Sequence, residues 1–159
     1  MQAELAEYQQ SIADRLRRIC DALDGLDAAQ LNRRAAPGAN SAWVLAQHTL
    51  GNARAWVLGI AAGAPRRRDR PGEFASSGSD LAALRADVER FIIEMREALA
   101  SLPDDALDRR LVPAKELWGD SEPHEISVRR ALIQVIEHAS LHLGHLQLTR
   151  DLLTEDGAS

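Results

Sequence analysis

The C-terminal stretch Ser127–Leu153, SVRRALIQVIEHASLHLGHLQLTRDLL, carries the longest periodic pattern in this chain of 159 residues. Its apolar residues recur at steps of three, four and seven, which is the spacing of one buried face on an α-helix. The residues of this apolar stripe are Val128, Leu132, Val135, Ala139, Leu146 and Leu153. We therefore predict a long amphipathic helix that packs against other helices.

Three earlier segments show helical periodicity, and glycines and prolines separate them. The predicted helices are Glu4–Leu23, Ala42–Ala62 and Leu81–Ser101. Ser41 is suited to cap the second of these helices, and Ser79 or Asp80 the third. Since no strand-like alternation longer than four residues occurs, we expect an all-α fold, with residues 1–159 forming a single four-helix-bundle domain.

The segments between these helices are predicted to be loops. Asp27–Asn40 is polar and contains a Pro-Gly breaker, and Arg66–Ser79 is rich in turn-forming residues. Pro103–Glu125 is expected to be irregular, with at most one short helix over Asp104–Leu111.

The composition disfavours several classes of partner. A formal net charge of −5 and a pI of about 5.5 argue against nucleic acid, because phosphate binding needs a basic surface. The apolar run Ala55–Ala64 is about half of the ~20 residues that a membrane span needs. Cys20 is the single cysteine, so an internal disulfide is excluded, and no signal-peptide pattern opens the chain. We expect a cytoplasmic protein without a nucleic-acid or membrane partner.

Three of the five histidines lie within eight residues of the last predicted helix. His138 and His142 are i,i+4 neighbours that can meet at one metal ion, and His142 and His145 form an i,i+3 pair. His138 and His145 are about 10 Å apart along the axis, too far to share an ion directly. All three are expected to face the bundle interior, where an unpartnered imidazole costs roughly 1–3 kcal/mol. A shared metal ion or a hydrogen-bond network would offset this cost.

A metal site in a bundle needs a ligand from a facing helix. His48 is the single histidine of the second predicted helix, whereas His124 falls in the irregular segment and is expected to be solvated. Alanine follows His138 where zinc proteases have a catalytic glutamate, and the last helix lacks the Glu-x-x-His pattern of di-iron bundles. The simplest ligand set is therefore His48, His138 and His142 around one divalent metal. Three imidazoles suit Zn, Ni, Cu or Fe, of which we expect Zn or Ni.

These segments resemble the DinB-like (DinB/YfiT) superfamily of metal-binding four-helix bundles. The resemblance is carried by Ser41, Trp43 and His48 in the second helix and by Leu132, Glu137, His138, His142, Gly144 and Leu146 in the last. In that superfamily the corresponding histidines hold one divalent metal, which implies this role for His48, His138 and His142. His145 stands where the superfamily often has glutamine, so it is either an alternative ligand or a partner of one.

Characterised members of the superfamily include metal-dependent transferases and isomerases that use mycothiol, bacillithiol or glutathione. The resemblance therefore implies a thiol-dependent transferase or isomerase, in which a low-molecular-weight thiol attacks an electrophilic small molecule. Two alternatives stay open. One is metal-dependent hydrolysis by a metal-bound water, and the other is a non-catalytic homodimer that binds metal or a ligand.

Other residues near these segments have more than one interpretation. The run Arg66–Arg70 is either a solvated loop or a site for the carboxylates of a thiol cofactor or an acidic substrate. Asn52, one turn beyond His48, either orients that ring or fills the core. The three tryptophans are expected in the core or in a pocket wall, and Cys20 is expected to be buried and unreactive.

Overall fold

The computed structural model describes residues 2–64, 67–119 and 121–155. Within these ranges there are six α-helices, four of which are long. The helices are α1 (Gln2–Ala22), α2 (Ala28–Asn32), α3 (Ala42–Arg54), α4 (Arg70–Ala75), α5 (Leu81–Ala100) and α6 (Val128–Glu155). The all-α prediction is confirmed, and each predicted helix corresponds to one long helix of a DinB-like bundle.

The second predicted helix changes its hydrogen-bond pattern midway. α3 ends at Arg54, and Ala55–Ala61 continues the helix as a π-helix. This segment is closed by a hydrogen bond from the Ala64 amide to the Leu58 carbonyl, beside a left-handed Gly63 with φ of 71°. π-Helical turns are rare in proteins and occur frequently at functional sites.

Contacts at the helix ends show which helices of the bundle run parallel and which run antiparallel. Arg129 at the start of α6 pairs with Glu4 at the start of α1, so these two helices run parallel. Arg85 near the start of α5 pairs with Asp24 just after α1, so α5 runs antiparallel to α1. Arg109, which precedes α6, donates to the last carbonyl of the π-helix, so α3 runs antiparallel to α6.

The predicted apolar stripe of α6 is buried along its whole length. All six of its residues are buried. Val128, Leu132, Val135 and Leu146 belong to the same core cluster as Trp56 and Phe91. Full burial of one such apolar side chain contributes roughly 1.5–3 kcal/mol to folding. Among the described residues, no helix combines the length and the apolarity that crossing a bilayer requires.

The segments predicted as loops contain two short helices. At the start of α2, Asp27 accepts a hydrogen bond from the Gln30 amide, and the Gln30 side chain accepts one from the Asp27 amide. At the start of α4, Asp69 accepts from the Gly72 amide, and Pro71 occupies the first turn. These helices have five and six residues, fewer than two turns, so they leave no periodic pattern in the sequence.

The short helix predicted over Asp104–Leu111 is present but much shorter than expected. Only Ala106–Asp108 is helical there, as one 3-10 turn, and Arg110–Leu111 forms the strand β1. β1 pairs antiparallel with β2 (Ile126–Ser127), and its first residue lies opposite the last residue of β2. Strands of two residues show no alternation, so nothing local in the sequence indicates them.

Candidate metal centre

α3 carries His48 into the interior of the bundle. Ser41 accepts a hydrogen bond from the Val44 amide, so it caps α3 as predicted. Two turns into the helix, His48 falls on the buried face and is only 5% exposed. The antiparallel α6 brings the half-buried His138 and His142 against it.

The three imidazoles meet through their Nε2 atoms. His48 Nε2 lies 3.2 Å from His138 Nε2, which in turn lies 3.2 Å from His142 Nε2. One ligand nitrogen from each ring lies within 4.8 Å of the other two. The structure therefore brings together the three histidines that the sequence singled out, although His48 is far from the other two in the chain.

The residues of this group fit a metal ion. Two nitrogens bound to one tetrahedral ion at about 2.0–2.1 Å lie about 3.3 Å apart, close to the separations found here. The Nδ1 atoms of His138 and His142 are buried and have no hydrogen-bond partner among the described residues. A cation between the rings would bind the three Nε2 lone pairs and leave each Nδ1 atom to carry its ring's proton.

Burial keeps the imidazoles of His138 and His142 neutral. It lowers the pKa of His142 to about 4, and the nearby His48 and His145 rings act in the same direction. The pKa of His138 is lowered further, chiefly by burial and then by the neighbouring imidazoles and the guanidinium of Arg68. Because histidine binds metal in its unprotonated form, these nitrogens are available as ligands at neutral pH.

Glu73 of α4 orients the His48 ring. Its Oε2 atom lies 2.9 Å from His48 Nδ1, and since a carboxylate only accepts, Nδ1 carries the proton and Nε2 keeps its lone pair. Arg68 holds the same carboxylate through its Nε and one terminal nitrogen, at 2.8 and 2.7 Å. The ring of Phe74 packs on His48, with centroids 4.5 Å apart. Carboxylate partners of this kind are common behind metal-binding histidines.

The Glu73 carboxyl is ionised at neutral pH. Burial raises its pKa, but hydrogen bonds from His48 and Arg68 outweigh burial and lower the pKa below its ordinary value. The Arg68 side chain is only 8% exposed and balances this charge in an ion pair. Sequence reasoning missed Glu73, because no helical or loop spacing connects it to a histidine 25 residues away.

Asn52 fills space in the core and does not orient the His48 ring. Asn52 is 4% exposed, and its Oδ1 atom has no hydrogen-bond partner among the described residues. The Nδ1 atom of His48 is bound by Glu73 instead. Asn52 therefore forms no hydrogen bond with His48, although the two residues lie one turn apart on the same helix.

The prediction that His145 faces the interior is wrong, because its side chain is exposed. The buried stripe of α6 centres on residues such as Ala139 and Leu146. At about 100° per residue, His145 falls beyond His138, at the edge of that stripe. Its ring lies 5.6 Å from that of His142, and it is not part of the converging group.

The arginine run takes several roles. Arg68 binds an internal carboxylate, Arg67 is exposed, and Arg70 lies 4.9 Å over the ring of Phe74. Arg66, which also belongs to the predicted run, lies outside the described residues.

The predicted positions of the three tryptophans, His124 and Cys20 are confirmed. Trp43 and Trp56 are buried, and Trp118 is half-buried with its ring edge-on to Trp56 at 5.6 Å. His124 is exposed and its ring lies 4.3 Å from Trp118. Cys20 is buried, and burial raises the pKa of its thiol to about 11.

Comparison with known proteins identifies the family. A family model described as Mycothiol-S-transferase matches residues 7–155, which include all three converging histidines. No curated protein matches the chain. The chain therefore belongs to the mycothiol S-transferase family, part of the DinB/YfiT-like superfamily that its histidine and tryptophan motifs resemble.

Proposed function

We propose that this protein is a metal-dependent thiol S-transferase in which His48, His138 and His142 hold one divalent metal ion. The family match supports the thiol S-transferase class. The observation that carries the metal site is the convergence of three Nε2 atoms from two helices. We propose Zn²⁺ or Ni²⁺ as the metal, and mycothiol or a related low-molecular-weight thiol as the sulfur donor.

The three ligands determine what such a site can do. Because neutral imidazoles leave the charge of the cation unbalanced, and three ligands leave one tetrahedral position open, the arrangement suits catalysis rather than structural binding. When bound, a divalent cation lowers the pKa of a coordinated thiol, so that the thiolate is available near neutral pH. With the cation held by His48, His138 and His142, the thiolate sulfur would bond to an electrophilic carbon of the acceptor as the bond from that carbon to its leaving group breaks. The leaving group would depart with its electron pair, as chloride does from a chloroalkyl acceptor, and the thiol proton would pass to solvent.

Residues around the ligands hold this geometry. Glu73 keeps the proton of His48 on Nδ1, and Arg68 neutralises and positions that carboxylate. Phe74 packs against the His48 ring and limits its rotation. His48 is therefore oriented before any thiol or acceptor binds.

A cavity next to this network is large enough for a small molecule. It has a volume of about 460 Å³ and lies between the π-helix, residues 114–117 and the side chains of Arg67 and Arg68. Sites for small molecules usually have volumes of about 300–1,000 Å³. Arg68 lines this cavity and holds Glu73, which binds His48 Nδ1, whereas none of the three histidines lines it. We propose it as a small-molecule subsite on the Nδ1 side of His48.

The test is the formation of a thiol conjugate. Zn²⁺-loaded protein is incubated with mycothiol and monochlorobimane, which becomes fluorescent when sulfur displaces its chloride. We expect conjugate to form faster than in buffer, the excess to vanish with a chelator, and Zn²⁺ to restore it. The excess rate is expected to fall at least ~100-fold in His142→Ala. It should be unchanged in His145→Ala, because His145 is exposed.

Two outcomes would overturn the proposal that the protein is a thiol S-transferase. Ester hydrolysis that requires the metal but no thiol would make the protein a hydrolase. Tight metal binding without turnover of any thiol among mycothiol, bacillithiol and glutathione would make it a binding protein.

A further inference from the structure

We propose that Gly51 is a positioning residue of the metal site, because the absence of a side chain there lets the Glu73 carboxylate reach His48. The inference rests on the proposed function, since it concerns the ligand geometry of the same site.

The space above Gly51 is occupied by Glu73. A Cβ atom built at Gly51 would lie 2.1 Å from Glu73 Oε1, 2.6 Å from its Cδ and 3.3 Å from its Cγ. Real Cβ contacts are essentially never shorter than 3.0 Å. Any residue other than glycine at this position therefore requires the carboxylate to move.

The backbone itself does not require glycine here. Gly51 lies inside α3 and is not among the glycines with positive φ. Alanine is the better residue inside a helix, because glycine loses more conformational freedom on folding. The contact with Glu73 is thus the feature at this position that opposes a larger side chain.

Glu73 cannot move aside without losing its partners. Its two oxygens together accept hydrogen bonds from Arg68 Nε, an Arg68 terminal nitrogen and His48 Nδ1, at 2.8, 2.7 and 2.9 Å. The side chain is only 12% exposed, so water cannot replace these partners freely. Displacement by a methyl group at position 51 would leave His48 Nδ1 without its acceptor.

The consequence is a weaker metal site. Without Glu73, the His48 ring loses the interaction that keeps the proton on Nδ1 and the lone pair on Nε2. Loss of such a partner typically weakens metal binding 10–100-fold. The segment between α3 and α5 is in this way linked to the ligands through Glu73, and Gly51 supplies the space for the link.

The experiment measures Zn²⁺ affinity by competition with a chromogenic chelator. We expect Gly51→Ala to bind Zn²⁺ ~10–100-fold more weakly than the unaltered protein. Gly144→Ala is the matched control, since Gly144 is also inside a helix but a Cβ there would have no neighbour within 4 Å. Both variants gain the same helix preference, so the difference between them isolates the contact with Glu73.

A double-variant cycle identifies the cause. In a Glu73→Ala background the clash is absent, so Gly51→Ala should change the affinity less than twofold. If Gly51→Ala alone does not fold while the double variant does, the clash is again the cause. An equal loss of affinity in both backgrounds, or Gly51→Ala binding Zn²⁺ as tightly as Gly144→Ala, would overturn the proposal.

A second readout needs neither metal nor turnover. The ¹⁵N shifts of the His48 ring in metal-free protein report which nitrogen carries the proton. We expect the protonated Nδ1 signal in the unaltered protein and in Gly144→Ala, and its loss in Gly51→Ala. An unchanged His48 signal in Gly51→Ala would overturn the positioning role, whereas absence of thiol transfer would count against the proposed function alone.

Discussion

The Nε2 atoms of His48 and His138 lie 3.2 Å apart, although 90 residues separate the two histidines in the chain. This contact joins α3 to α6 through two imidazole rings. If both rings were protonated they would repel each other, whereas two neutral rings can bind the same metal ion. Burial favours the neutral form, because it lowers the pKa of His138. The same pair therefore connects the packing of the bundle to its proposed chemistry.

Removal of one ligand should abolish stabilisation by metal. Zn²⁺ at about 100 times its dissociation constant stabilises a folded protein by about 2.7 kcal/mol, or roughly 5–11 °C in Tm for a chain of this size. We expect this shift in thermal unfolding of the unaltered protein and of His145→Ala, and none in His142→Ala. A Zn²⁺-dependent shift that survives in His142→Ala would contradict the three-histidine site.

Asn52→Ala should leave Zn²⁺ affinity within about threefold of the unaltered protein. The reason is that Asn52 has no hydrogen bond to His48, whose Nδ1 atom is bound by Glu73. The same chelator competition measures this, with Glu73→Ala as the variant expected to lose affinity ~10–100-fold. A tenfold loss in Asn52→Ala would give it the orienting role that the structure assigns to Glu73.

The ion pair between Arg54 of α3 and Asp87 of α5 should stabilise the bundle above about pH 4. Two hydrogen bonds of 2.9 and 2.7 Å from Arg54 chiefly lower the pKa of Asp87. A carboxyl whose folded pKa is lowered contributes stability above its unfolded pKa of about 3.9, and the contribution disappears as pH falls through the folded value.

Urea unfolding of Asp87→Asn measures this contribution. We expect the free energy of unfolding to fall by about 1 kcal/mol at pH 7, and the difference from the unaltered protein to shrink below pH 4. Asp14→Asn on the exposed face of α1 is the control, since Asp14 accepts a hydrogen bond from the uncharged Gln10. If Asp87→Asn lowers the free energy of unfolding by the same amount at pH 7 and pH 3, the effect does not come from ionisation of the Asp87 carboxyl.

Cys20 should react slowly with thiol reagents while the protein is folded. Its side chain is buried, and burial raises its pKa to about 11, so the thiolate fraction at pH 8 is roughly 100-fold below that of an exposed cysteine. We expect 5,5′-dithiobis(2-nitrobenzoate) to react at least ~100-fold more slowly in buffer than in 8 M urea. Comparable rates in the two solvents would place the thiol at the surface.

Much of the bundle could be predicted because its helices are long. The stripe from Val128 to Leu153 repeats over seven turns, and such a repeat has one structural interpretation. The short elements α2, α4 and β1 could not be found in this way, because they end before a period is established. His145 shows where helical periodicity stops being informative. A residue at the edge of an apolar stripe is buried or exposed according to which neighbouring segment covers it, and the period does not record this.

The sequence by itself determined the four long helices and the one-turn separation of His138 and His142, because helical period and i,i+4 spacing are local properties. It also narrowed the candidate ligands to His48, His138 and His142. Only the tertiary structure decided that Glu73 and Arg68 lie behind His48 and that Gly51 leaves room for the Glu73 carboxylate. Those contacts depend on how the segment between α3 and α5 folds back over α3, and no repeating pattern in the sequence records that path.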